Sequence, residues 1–180
     1  MKASVHTRVG LVVAGFLMAG SVLAQAPDGG VVSFGKRAPS VGELQKAFAP
    51  PSELQGMGLS QPTQPVKKSI DMELLFGFGS ADISSKSKAQ LATLGEYLQT
   101  AKIGQGEFRI EGHTDGVGSL EANRGLSERR AQAVKNFLVS EYRVNSNVLS
   151  VAGLGDTQLK DPKNPSSEIN RRVAFSVTYK

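Results

Sequence analysis

The segment EGHTDGVGSLEANRGLSERRA, residues 111–131, connects the end of a strand to the start of a long helix. Immediately before this segment, Phe108 and Ile110 alternate with polar residues. This alternation is the period of a strand with one buried face. A polar loop with two glycines follows over 113–119, where the backbone can turn tightly and approach a ligand. A helix is then predicted from about Leu120 to Tyr142.

The predicted helix carries two polar residues on the face that we expect to meet the core. Leu126, Val134 and Phe137 are spaced as one inward stripe. Arg130 lies four residues after Leu126 on that stripe, and Asn123 lies on the same face. A guanidinium has five donors and keeps its charge, so its burial is costly unless an anion faces it. The helix therefore predicts an anionic partner for Arg130.

Asp115, in the loop before the helix, is the nearest candidate for that anion. The loop leads into a helix N-terminus, where free N–H groups favour anions. One acid and one arginine also form a complementary site for an amino-acid zwitterion, because arginine takes a carboxylate in a fork and aspartate takes an ammonium. The alternative is a purely structural Asp115–Arg130 ion pair that closes the loop onto the helix.

The rest of the C-terminal two thirds predicts an α+β fold. A helix capped at 84–85 has leucines at helical spacing, a third strand is expected over 148–154, and 155–168 reads as a polar loop. We expect a two-layer sandwich, with a mixed four-stranded sheet and two main helices on one face in the order β-α-β-α-β-β. The first and last strands are predicted from alternating apolar residues, which are Ile70, Met72, Leu74, Phe76 and Phe78, then Val173, Phe175, Val177 and Tyr179.

Residues 1–24 have the pattern of a secretory signal peptide. Lys2 and Arg8 precede an uncharged, mostly apolar run, and cleavage is expected after Ala24 or Ala26. An uncleaved anchor helix is the alternative, but the apolar run of about 14 residues is shorter than the roughly 20 that span a bilayer. We therefore expect an exported mature chain without a transmembrane segment.

Residues 25–65 are predicted to form a flexible linker, because they are rich in proline, glycine, glutamine and serine. The linker contains one short amphipathic helix. Ser40 and Glu43 fit a capping box, and Val41, Leu44 and Phe48 share one helical face. This helix could bind a partner, dock onto the domain or fray within a tether. The folded domain is expected over 66–180.

Composition argues against several classes of function. The chain has no cysteine, and its second histidine, His6, lies in the predicted signal, so His113 lacks companions for a zinc site and is expected to form a hydrogen bond at the strand end. Residues 116–121 lack the third glycine of a dinucleotide-binding loop. No serine has a histidine and an acid arranged as a catalytic triad for nucleophilic attack. A wall hydrolase remains the enzymatic alternative. We expect no enzyme activity, no metal and no cofactor.

The net charge is mildly basic. It is +5 for the full sequence and falls to +3 when Lys2 and Arg8 leave with the signal. No basic stripe interleaved with aromatic residues accompanies this charge, so no nucleic-acid partner is expected. A mild positive charge suits an acidic polymer such as cell wall, although ordinary surface charge is the simpler explanation.

Residues 111–131 closely resemble the signature of the OmpA-like C-terminal domain family, which includes peptidoglycan-associated lipoproteins and flagellar stator proteins. The resemblance extends to 76–81 and 170–173 and covers about 66–180. One departure is Gly77, which stands where many members carry an aspartate between two phenylalanines. The family pattern GHTD, then G, then N-x-x-L-S-x-x-R-A is filled by Gly112, His113, Thr114, Asp115, Gly118, Asn123, Leu126, Ser127, Arg130 and Ala131.

The resemblance implies the fold described above and non-covalent binding of the diaminopimelate residue in the peptidoglycan stem. It implies that Asp115 and Arg130 hold the two charged ends of that residue, that Thr114 and Asn123 add hydrogen bonds, and that Arg171 lies near the site. It also implies a periplasmic location in a Gram-negative bacterium, associated with the cell wall or outer membrane. The alternative is an assembly subunit of an envelope secretion or motility machine, with the domain as wall anchor and 25–65 contacting other envelope proteins.

Overall fold

A computed structural model describes residues 30–50, 65–77, 79–101 and 107–179. The predicted signal peptide lies outside these residues. The described part contains five strands and three α-helices, and two short 3-10 helices lie at Ser146–Val148 and Glu168–Asn170. In chain order the main elements are β1 (Val31–Ser33), α1 (Val41–Ala47), β2 (Val66–Met72), α2 (Ser85–Thr100), β3 (Glu107–His113), α3 (Leu120–Tyr142), β4 (Leu149–Gly155) and β5 (Val173–Tyr179).

The strands form one mixed sheet in the order β1-β2-β5-β3-β4. Strand β5 pairs antiparallel with β2 and with β3, while β1 pairs parallel with β2 and β4 parallel with β3. The α+β class agrees with the sequence prediction. The sheet has five strands rather than four, because Val31–Ser33 adds to the edge of β2.

One hydrophobic core lies between the helices and the sheet. Four strand residues that were predicted to point inward lie in this core and are each at most 1% exposed: Ile70, Phe108, Ile110 and Phe175. Helix α3 packs on β3 and β4, and α2 packs on both α1 and α3. Sheet and helices therefore form the two expected layers.

Two glycines let α3 lie directly against the sheet. A Cβ added at Gly112 would lie 2.1 Å from the carbonyl oxygen of Ser127, and one at Gly153 would lie 2.6 Å from that of Arg124. Real side chains do not tolerate such distances, so backbone contact at these two positions requires glycine. The contact brings the start of α3, and the loop before it, next to the ends of β3 and β4.

The buried face of α3 differs from the predicted stripe. Leu126 and Phe137 are only half-buried. Where α3 contacts the glycines of the sheet, its buried side chains are small, as at Ser127. The close backbone contact leaves no room there for leucine. The buried residues of the helix are Asn123, Ser127, Arg130, Ala131, Val134 and Leu138.

The first predicted strand is shorter than its apolar alternation suggested. It ends at Met72, and Phe76 forms only an isolated bridge with Ile83. Phe78 lies outside the described residues. The chain after Met72 therefore forms a loop at the sheet end, and that loop borders the candidate site.

The described part of the predicted linker belongs to the folded unit. Helix α1 begins after Ser40 with the predicted capping box. Leu44 is fully buried, and the ring of Phe48 stacks on Tyr97 at 5.8 Å and meets Phe108 edge-on at 5.3 Å between ring centroids. A seven-residue helix has little stability alone, so α1 is stabilised by this packing. Residues 30–50 thus differ from the flexible tether that composition predicted.

Phe48→Ala tests the packing of α1 on the domain. We expect the free energy of unfolding to fall by about 3–5 kcal/mol, because a buried aromatic ring is removed and a cavity remains. Chemical denaturation measures this loss. The control is Gln45→Ala, which changes an exposed residue of the same helix and should alter stability by less than about 0.5 kcal/mol. A similarly small loss for Phe48→Ala would contradict the packing.

Candidate functional site

Arg130 is a buried guanidinium with most of its donors unused. Its Cζ lies 4.8 Å from the ring centroid of Phe76, and its Nε donates to the carbonyl oxygen of Ser80 at 3.0 Å. In the described part of the chain, neither terminal nitrogen has an acceptor. Burial lowers the pKa of Arg130 and the positive charge of Arg171 adds to this effect, but a guanidinium remains charged at neutral pH. The side chain can therefore still bind an anion in a fork.

Asp115 forms its ion pair with Arg171 rather than with Arg130. Arg171 Nη1 lies 2.9 Å from Asp115 Oδ2, and the backbone N–H of Val117 donates to Asp115 Oδ1 at 3.2 Å. The hydrogen bond that Arg171 donates to Asp115 raises the pKa of Arg171. The structural alternative from sequence, an Asp115–Arg130 pair, is therefore replaced by a pair that joins the β3–α3 loop to the chain before β5.

The loop that carries Asp115 is held by backbone hydrogen bonds. The N–H of Thr114 donates to the carbonyl oxygen of Gly155 at 2.9 Å, and that of Gly116 donates to the carbonyl oxygen of Pro165 at 2.8 Å. Gly118 has a φ of +102°, a conformation that favours glycine. These contacts fix Asp115 before any ligand binds.

Thr114 and Asn123 lie behind this loop. Asn123 Nδ2 donates to the carbonyl oxygen of Asp115 at 3.4 Å, so the amide supports the loop backbone. Thr114 is buried, and its hydroxyl oxygen has no hydrogen-bond partner in the described ranges. Neither residue lines the cleft described next.

Arg130 and Arg171 share one open cleft at the sheet end. Asp115 borders the cleft through its pair with Arg171. Lys36, Glu73 and Glu168 are cleft residues that the sequence prediction missed, since none lies in a recognisable motif. The lining consists of Lys36, Glu73, Leu74, Leu75, Phe76, Arg130, Glu168 and Arg171.

Four charges of alternating sign run along the mouth of this cleft, and we call Lys36, Glu168, Arg171 and Asp115 the charged rim. Glu168 joins two of them, with Lys36 Nζ 2.9 Å from its Oε2 and Arg171 Nη2 2.8 Å from its Oε1. The hydrogen bond with Glu168 raises the pKa of Lys36, and the same bond lowers the pKa of Glu168. Lys36, Glu168 and Arg171 are therefore charged at neutral pH, and the cleft presents both signs to a ligand.

His113 lies at the end of β3, next to the loop. It is 3% exposed, and its backbone N–H donates to the carbonyl oxygen of Arg172 at 3.0 Å. Its Nδ1 has no partner among the described residues. Burial, with the positive charge of Arg172, lowers the pKa of His113 to about 4. The imidazole is thus neutral at physiological pH.

Two features of the described residues bear on the classes of function considered. Within the described residues, no group of three or more histidine, cysteine, aspartate or glutamate side chains could hold a metal ion. In the same ranges no helix combines the length and the apolar character that crossing a membrane requires.

Comparison with known proteins identifies relatives over this region. The model of the OmpA family matches residues 75–172. Outer membrane porin F of Pseudomonas aeruginosa is 32% identical over 111 residues, covering 60% of this chain and 31% of that protein. Outer membrane protein Omp38 of Acinetobacter baumannii is 34% identical over 119 residues, covering 64% and 33%. The chain thus spans about a third of the length of these relatives.

Solved structures share the fold. The periplasmic domain of Helicobacter pylori MotB has a TM-score of 0.53 and 25% identity, covering 68% of this chain and 78% of that one. The OmpA-like domain of FopA1 from Francisella tularensis has a TM-score of 0.52 and 21% identity, covering 67% and 77%, and this likeness concerns the fold alone.

The neutral, buried His113 predicts a pH dependence of stability. Its pKa is about 4 in the folded chain and near 6.5 when unfolded, so the unfolded chain binds the extra proton between these values. Stability should therefore fall as pH drops from 6.5 towards 4, by about 3 kcal/mol for this group. Denaturation midpoints of His113→Gln and wild type across this range measure the effect, and the variant should show the flatter profile. Equal slopes would contradict a buried neutral histidine.

Proposed function

The chain belongs to the OmpA family, and we propose that its cleft binds peptidoglycan non-covalently through the diaminopimelate residue of the stem peptide, without turnover. Arg130 carries this proposal. Its guanidinium is buried on Phe76, donates from Nε to Ser80, has no acceptor for its terminal nitrogens among the described residues, and lines an open cleft. Such a side chain matches a carboxylate, which it can bind through two parallel hydrogen bonds. Each charge-assisted contact could contribute about 1.5–3 kcal/mol.

The ammonium at the other end of diaminopimelate requires an acid. Asp115 supplies it in this proposal, because a carboxylate has about four acceptor sites and two are taken by Arg171 and Val117. Its loop is already held in place, so little ordering accompanies binding. Thr114 and Asn123 act through this loop, with the amide of Asn123 supporting the Asp115 backbone.

Binding to a polymer makes modest affinity sufficient. Peptidoglycan presents many identical stems, so a released domain rebinds nearby. We place the protein in the periplasm of a Gram-negative bacterium, exported by residues 1–24. The relatives support an envelope location, since two are outer membrane proteins by name and one structure is a periplasmic domain.

The alternative role as an assembly subunit requires a surface for a partner. Residues 25–65 were the candidate, with α1 as the docking element. Leu44 and Phe48 of that helix are buried against the domain, so its apolar face is not available to another protein. The apolar face of α1 is therefore not the docking surface, and wall binding, which both roles share, is the function proposed.

Co-sedimentation with purified sacculi tests the role of Arg130. Arg130→Met should abolish pelleting, because the fork is lost, while circular dichroism and stability remain near wild type since a buried charge is also removed. The matched control is Arg129→Met, an exposed arginine one position away, which should pellet normally. Unfolding of Arg130→Met would instead make Arg130 a structural residue.

Competition with small molecules tests recognition of both charges. Free meso-diaminopimelate should release the protein from sacculi, whereas lysine should compete at least about tenfold less well because it lacks the second carboxylate. Asp115→Asn should weaken the response to diaminopimelate, since the acid for the ammonium is removed. Equal competition by lysine would exclude the proposed head-group recognition.

A further inference from the structure

The turn after β1 places a lysine in the cleft from outside the region that the family model matches, residues 75–172. Gly35 has a φ of +56°, and its carbonyl oxygen accepts from the N–H of Glu73 at 2.8 Å. Gln90, a buried residue of α2, donates to the carbonyl oxygen of Arg37 at 3.2 Å. The backbone on both sides of Lys36 is thus fixed, to the residue that follows β2 and to α2.

Lys36 and Arg171 hold one carboxylate between them, that of Glu168. The two contacts are 2.9 Å and 2.8 Å, one to each carboxylate oxygen. The Glu168 side chain is 66% exposed, so solvent and ligands can reach this position. Exposed ion pairs are weak, and an incoming carboxylate can take the place of Glu168 at little cost.

From this geometry we infer that Lys36 and Arg171 form a second carboxylate subsite beside Arg130, which Glu168 occupies in the unliganded protein. The inference rests on the proposed function and refines its specificity. The subsite selects stem peptides with a free carboxylate next to the diaminopimelate head group over stems in which that carboxylate is amidated. Two sources of such a carboxylate exist in a tripeptide stem, the chain carboxylate of diaminopimelate and the α-carboxylate of the neighbouring glutamate.

The chemistry of an amide explains the selectivity. A carboxamide has no charge and presents donors as well as an acceptor, so it cannot replace Glu168 between two cations. A carboxylate can accept from both Lys36 and Arg171, as Glu168 does. Lys36 also lies 4.0 Å from Glu73, which keeps its ammonium over the cleft.

The experiment compares three synthetic tripeptides, L-alanyl-γ-D-glutamyl-meso-diaminopimelate and two singly amidated forms. One form carries the amide on the chain carboxylate of diaminopimelate and the other on the glutamate α-carboxylate. Calorimetry with the full chain should show about tenfold weaker binding for one of the amidated forms. The amidated form that binds more weakly identifies which carboxylate occupies the subsite.

Two variants should change the affinity for the free peptide in opposite directions. Lys36→Met should remove the preference for the free carboxylate, with little effect on the amidated peptide. Glu168→Gln should strengthen binding of the free peptide severalfold, because the internal occupant loses its charge. The controls are Lys46→Met and Glu96→Gln, exposed residues on α1 and α2, which should behave as wild type.

The outcomes separate this inference from the proposed function. Equal binding of all three peptides by wild type, an unchanged preference in Lys36→Met, or weaker binding in Glu168→Gln would each overturn the second subsite while leaving wall binding intact. Absence of binding to every peptide by wild type would overturn both. Arg130→Met should lose all three peptides, whereas Lys36→Met should lose only the discrimination between them.

Discussion

A guanidinium held against an aromatic ring, with its terminal nitrogens unpaired in the described chain, is the interaction on which the site depends. Arg130 has lost much of its water, yet Phe76 and the carbonyl oxygen of Ser80 replace only part of it. A buried cation of this kind is costly for the fold unless an anion completes its contacts. Binding energy is therefore available to a carboxylate that enters the cleft, and the rest of the site positions that carboxylate.

The position of Arg130 depends on how closely α3 approaches the sheet. Gly112 and Gly153 allow backbone contact with the helix, so its inward face consists of small and polar residues near its start. A leucine in place of Ser127 would separate the helix from β3 and β4. The glycines thus act on the site indirectly, by setting the height of Arg130 above the sheet end.

Electrostatics along the cleft are assembled from distant parts of the chain. Lys36 lies 132 positions from Glu168, and Asp115 lies 56 positions from Arg171. The sheet order brings these segments to one end, because β5 lies between β2 and β3 and the segment before it meets both the β1 turn and the β3–α3 loop. The alternating signs keep the rim nearly neutral, which suits a ligand that carries both charges.

The sequence alone determined the elements and residues that rest on local patterns. The period of α3, the capping residues of α1 and α2 and the spacing from Asp115 to Arg130 all operate over a few residues, so they predicted the helices, the loop and the two main candidates for the site. Arg171 was expected near the site only through the family resemblance.

The pairing of Asp115 with Arg171, the fifth strand and the place of Lys36 follow from the assembled fold. A three-residue strand carries little local signal. The capping box predicted the seven-residue helix, but its packing on the domain, which stabilises so short a helix, depends on distant residues. An ion pair between distant residues depends on which strands become neighbours in the sheet, and no local sequence pattern predicts the strand order.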